Sequence, residues 1–132
     1  MINFDVQKEL GPYSDKEAAG TMHAHHVVFR SQGGVDHYYS KIKIPMGFHE
    51  SDRGPHKNRE TDLALKREMQ KELFDAFSEA DTYDIDSILL ILQPENERSR
   101  AKLRRQLEKT KNNAGEYKAE DIVRTLMGRK LY

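Results

Sequence analysis

The chain is 132 residues long, carries 22 Lys or Arg against 22 Asp or Glu, and contains no cysteine. Its length fits one domain with one modest core. The absent thiols exclude a disulfide scaffold, a Cys-ligated zinc finger and a cysteine nucleophile, and the zero net charge leaves no global electrostatic argument for nucleic acid. With a mean hydropathy of −0.88 and no apolar run near the roughly 18 residues of a membrane span, no membrane partner is expected. The opening MINFDVQKEL lacks the basic-then-apolar layout of a secretory signal, so a cytoplasmic protein is the expectation.

Residues 1–21 read as an irregular lead-in, with a short strand at residues 2–6 and a turn around Gly11 and Pro12. Residues 22–30, MHAHHVVFR, are rich in β-branched and aromatic side chains and run into Ser31, Gln32, Gly33 and Gly34, which predicts a strand entering a Gly-Gly turn. Residues 38–45 end with Ile42 and Ile44 interleaved with Lys41 and Lys43, the pattern of a returning hairpin strand. Residues 46–55 read as a polar loop. Pro55 suits a first helical position, and Leu63, Leu65, Met69, Leu73, Phe74 and Phe77 predict an amphipathic helix from there to about Ser78. A second helix is expected from near Asp84 to just before Pro94, on Ile85, Ile88, Leu89 and Leu92. A third follows Pro94 to about Lys111, acidic at its start and basic at its end, and a last one runs from about Lys118 to Met127, with Gly128 closing it. The layout is α+β, with residues 80–132 a helical part of the same domain as the hairpin and first helix in residues 22–79.

All six histidines lie between His23 and His56. Imidazole is a common transition-metal ligand and a base near neutral pH, so their concentration marks a candidate site. One ring cannot ligate a cation and remove a proton at once, and adjacent His25 and His26 are most useful if they divide those roles. Alternation along a strand sends neighbours to opposite faces. His23 and His25 then share a face, which offers a rival His-x-His chelate, whereas His25 and His26 serve one site only if the strand ends or bends there. His23 and His37 are otherwise assigned to structure or substrate contact, with a surface position equally open to His37, Gly33 and Gly34 to the hairpin turn, and Asp36 first to a hydrogen bond with that turn and second to orienting a histidine.

The stretch His25-His26-Val27-Val28-Phe29-Arg30-Ser31-Gln32-Gly33-Gly34-Val35-Asp36 resembles the opening motif of HNH endonucleases, in the small phage-encoded branch with an HHxxxRSQGGxD signature. Gly54-Pro55-His56-Lys57-Asn58-Arg59, followed by Asp62 and a long helix, is similar to the downstream half of that branch, and the segment from Glu120 to Tyr132 is similar to its tail. The resemblance implies a ββα-metal core over residues 22–79 in which a hairpin and a helix hold one divalent cation, Mg²⁺, Mn²⁺, Zn²⁺ or Ni²⁺. It implies His25 as a metal ligand, His26 as the general base that activates water, and His49 and His56 as the further ligands. Arg30 would clamp a phosphate bidentately. The substrate implied is DNA, held by its phosphate backbone with little base specificity, in a bacterial host cytoplasm.

Two departures from the family pattern stand out. Ser40 occupies the position of the middle asparagine, which ties down the loop and orients the base, and a serine hydroxyl has fewer hydrogen-bonding groups than the amide. The structural cysteines of many relatives are absent, so the fold must form without thiolate zinc. A scaffold that has lost catalysis and binds DNA or a protein partner is the alternative reading. Residues 95–111 hold seven Lys or Arg against three Glu. They read first as a solvated helix face and second as a surface tracking DNA phosphates.

Overall fold

The alternating residues form two paired strands, β1 (Met22–His26) and β2 (Lys41–Pro45), in a computed structural model that describes residues 1–132. They run antiparallel, with His23 opposite Ile44, His25 opposite Ile42 and His26 opposite Lys41. Ile42 and Ile44 are buried while Lys43 stays in solvent, as a half-buried pleat requires. The first strand stops at His26 and does not reach Arg30. The expected Gly-Gly hairpin turn does not form either: residues 27–40 make a wide connection in which Arg30–Gln32 is a 3₁₀ turn. Gly33 ends that turn at φ 93, a conformation that favours glycine, and Gly34 lies so close to the carbonyls of Val28 and Phe29 that a Cβ would collide with them.

The N-terminal residues form no strand. Asp5 caps a short helix, α1 (Val6–Leu10), its carboxylate accepting from the Lys8 amide at 3.2 Å, and Ile2 donates its amide to the Lys41 carbonyl. The stretch expected to be loop after β2 opens with one helical turn, α2 (Met46–His49), which ends on His49. The long helix, α3 (Arg59–Ala76), starts at Arg59 and not at Pro55. Asn58 accepts from the Thr61 amide at 3.1 Å, and Glu60 and Asp62 occupy the first turn. Satisfying an orphan amide and complementing the dipole outweigh the preference of proline for a first helical position.

The remaining elements are β3 (Thr82–Tyr83), α4 (Ile85–Leu92), α5 (Glu97–Leu107), a 3₁₀ turn at Glu108–Thr110, β4 (Tyr117–Lys118) and α6 (Ala119–Leu126). The pair β3 and β4 is a second small antiparallel sheet, and the whole is a mixed α+β fold with six helices. One core joins both parts: Leu65, Met69 and Leu73 of α3 share it with Leu103 and Leu107 of α5, Ile122 and Val123 of α6, and Val27, Ile44 and Phe48 beside the first sheet. At roughly 1.5–3 kcal/mol for each large apolar side chain removed from water, this core is what holds the two small sheets in place. α5 is also pinned to the wide connection, because Lys102 Nζ donates to the Gly34 carbonyl at 3.1 Å and the Gln106 amide donates to the Gly33 carbonyl at 2.9 Å. No helix is long and apolar enough to cross a membrane.

Candidate metal centre

His25 comes from β1, His49 from the end of α2 and His56 from the turn before α3. Their ring nitrogens converge. His25 Nδ1 is 3.2 Å from His49 Nε2, His56 Nε2 is 2.9 Å from the same atom, and all three donors lie within 4.8 Å of one another. Nitrogens bound about 2.0–2.1 Å from a tetrahedral zinc stand about 3.3 Å apart, so the spacing suits one divalent cation. The protonation states suit it as well. Burial, reinforced by the neighbouring His49 and His56, pushes the His25 imidazole down to about 3, and burial with His56 and His23 lowers His49 too. Neutral imidazoles are the ligating form. His25 Nε2, the ring nitrogen that does not face His49, is buried without a hydrogen-bond partner. The three histidines could therefore hold a metal ion.

Two supports orient the ligands. His23, on the same face of β1 as His25, places its Nδ1 3.1 Å from His49 Nδ1. The rival pair of His23 and His25 thus does not chelate directly, because His49 stands between them and uses one nitrogen toward each. If His49 ligates through Nε2, its Nδ1 carries the proton and donates it to His23. The second support holds His56, which is exposed. Its ring stacks on Phe29 with centroids 5.0 Å apart, and Lys66 Nζ, fully buried and bonded to Asp62 at 2.8 Å, lies 4.8 Å from the centre of the Phe29 ring.

His26 faces the other way, toward Asp36, with Nε2 2.5 Å from the carboxylate Oδ1. Burial pushes the Asp36 carboxyl up, but the bond to His26 and the charges of Lys41 and Arg30 together hold it below the usual carboxylate range. An anionic Asp36 fixes the proton on Nε2 and leaves Nδ1 as the basic nitrogen. Asp36 therefore orients a histidine and is not engaged with the turn. Because β1 ends at His26, both adjacent rings still line one cavity of about 210 Å³, together with Phe29, Arg30, His49 and His56. Arg30 is largely exposed and reaches Asp36 only at 3.6 Å. Ser40 is buried away from the ligands. Its hydroxyl donates to the His37 carbonyl at 2.8 Å and accepts from the His37 amide at 3.0 Å, closing the loop that carries Asp36. His37 is not on the surface: it is buried, and its Nδ1 accepts from the Tyr39 amide at 3.1 Å.

Sequence reasoning brought His25, His26, His49 and His56 to this site, ranked second the histidine-orienting role that Asp36 takes toward His26, and missed His23 as the neighbour of His49 and the Phe29–Lys66 brace. The spacing His-x-His already put His23 on the right face, whereas nothing local pointed to Lys66. Comparison with protein-family models, with curated proteins and with solved structures returns no match.

Proposed function

We propose that this protein is a metal-dependent DNA endonuclease of the HNH type, built on a ββα-metal core of β1, β2 and α3, with His26 as general base. The observation that carries this reading is a single cavity lined by three convergent histidines and by a fourth, His26, whose other nitrogen is bonded to a carboxylate. The division of labour expected of adjacent His25 and His26 matches their opposite bonding. His25, His49 and His56 would hold a divalent cation, which supplies positive charge for a phosphate oxygen and the departing 3′ oxygen.

The residues of the chain do the rest. Asp36 keeps the His26 ring in place and its Nε2 protonated, so Nδ1 takes the proton of a water in the cavity as the water oxygen bonds to phosphorus. The bond from phosphorus to the 3′ oxygen breaks, and that oxygen takes a proton from solvent. Arg30, exposed and loosely paired, donates to a non-bridging phosphate oxygen. Ser40 acts at one remove, by closing the loop that presents Asp36.

A plasmid cleavage assay across Mg²⁺, Mn²⁺, Zn²⁺ and Ni²⁺, with an EDTA control, tests the reading. Wild type should nick or linearise DNA with at least one ion. His26→Ala should lose about 10²-fold or more in rate while binding metal as wild type does. Absence of cleavage with every ion, or normal cleavage by His26→Ala, overturns it.

A further inference from the structure

A second cavity, of about 400 Å³, opens between α5 and the wide connection after β1. Arg30 and Asp36 form one wall, and Arg98, Ser99, Lys102 and Arg105 form the other. The three basic residues of α5 recur at helical spacing and so present one face to this space. None of them is paired with a carboxylate, whereas Arg100 on the same helix pairs with Glu97 at 2.9 Å, the arrangement of an ordinary solvated face. The only acid in the lining, Asp36, is already engaged by His26, and Lys102 is held in place by the Gly34 carbonyl. Four cations gathered around one cavity, in a chain with no net charge, repel one another unless an anion lies between them.

Arg30 lines both this cavity and the histidine cavity, so the two are continuous across one side chain. We propose that Arg98, Lys102 and Arg105 form a phosphate subsite for a DNA strand, holding backbone phosphates beside the one that Arg30 presents to the histidine cavity. The space exceeds what one inorganic phosphate fills, and its cations are spread along a helix, which suits successive phosphates of a strand. This subsite rests on the endonuclease reading for its placement along the strand, but its binding step needs neither the metal nor His26.

The test is fluorescence anisotropy of a short labelled DNA duplex in EDTA, titrated with salt. The double substitution R98Q/R105Q should weaken binding by about tenfold or more, and reduce the slope of log affinity against log salt by about 2, since each lost phosphate contact removes about 0.9. Both side chains are exposed and unpaired, so the fold and the Ni²⁺ affinity measured by calorimetry should match wild type. K109Q/K118Q, exposed and outside the cavity, should bind as wild type does. The subsite is overturned if wild type does not bind the duplex, if R98Q/R105Q binds it unchanged, or if K109Q/K118Q loses as much. Displacement of the duplex by orthophosphate at an ionic strength where chloride is without effect assigns the cavity to a small anion and also overturns it. If R98Q/R105Q loses binding while wild type fails to cleave DNA with any of the divalent ions, the subsite stands and the endonuclease reading fails.

Discussion

His23 touches a histidine of the candidate metal site without joining the cluster itself. Its Nδ1 lies 3.1 Å from His49 Nδ1, and if it accepts a proton from that nitrogen, His49 Nε2 is left free to ligate. His23→Ala should therefore weaken Zn²⁺ or Ni²⁺ binding by about 10- to 100-fold in calorimetry, and His23→Gln, which keeps an acceptor, should recover part of the loss. Unchanged affinity in His23→Ala would show that His49 is oriented without it. The residues that carry the site were legible to unequal degrees. His25, His26 and His56 stand in stretches that resemble the HNH pattern, and with His49 they are named from that resemblance. His23 was placed on the correct face, but a periodic pattern gives a direction and not a partner, and the partner sits on an element made after β2. For Asp36 the sequence offers both a bond to the turn and the orienting of a histidine, and ranks the turn first because Asp side chains favour local backbone bonds. Here the early end of β1 brings His26 across to Asp36.

At the level of elements, the sequence is informative where a pattern is long and weak where it is short. α3 and α4 follow from runs of apolar residues at helical spacing, and α4 begins at the expected place, next to Asp84, which caps it. The two-residue strands β3 and β4 are too short to show any period, and α1 rests on a single turn and one cap. The start of α3 turned on a competition between Pro55 and Asn58, and it matters for function because His56 lies in the turn between them. Asn58→Ala removes the acceptor for the Thr61 amide, so it should cost about 1 kcal/mol and lower Tm by about 4 °C. The bond that closes the turn before α3 runs from the Asn58 backbone amide to the Gly54 carbonyl and survives the substitution, so metal affinity should stay near wild type while Tm falls. An unchanged Tm would show that the first turn of α3 is held by Thr61, whose hydroxyl donates to the Arg53 carbonyl at 2.7 Å.

Across the whole molecule, a balance of charge conceals two unequal distributions, histidines gathered around one sheet and unpaired cations along α5. The histidines couple folding to pH. Burial holds His37 at about 3 and, with His49 and His56, does the same for His25, against an ordinary value of 6.5. Below about 6.5 the unfolded chain therefore binds protons that the folded chain excludes, and stability present above that pH is lost as the pH falls toward 3. Between pH 6.5 and about 5 most carboxylates have not begun to titrate, so the slope there belongs to these two rings and to His49, which burial and its histidine neighbours also lower. Urea unfolding of the metal-free protein in EDTA should show stability declining by up to about 1.4 kcal/mol per pH unit for each ring. His37→Asn keeps an acceptor for the Tyr39 amide but cannot titrate, so its decline should be shallower by one ring's share. Equal slopes for the two proteins would mean that His37 is not neutral in the folded state. A bound divalent cation adds stability by mass action, and because the fold keeps His25 and His49 neutral below the ordinary imidazole range, that increment should survive acidification through pH 6.5. The difference in Tm with and without Ni²⁺ should thus still be present at about pH 6. Its complete loss there would mean that the fold does not hold His25 and His49 in the neutral, ligating form.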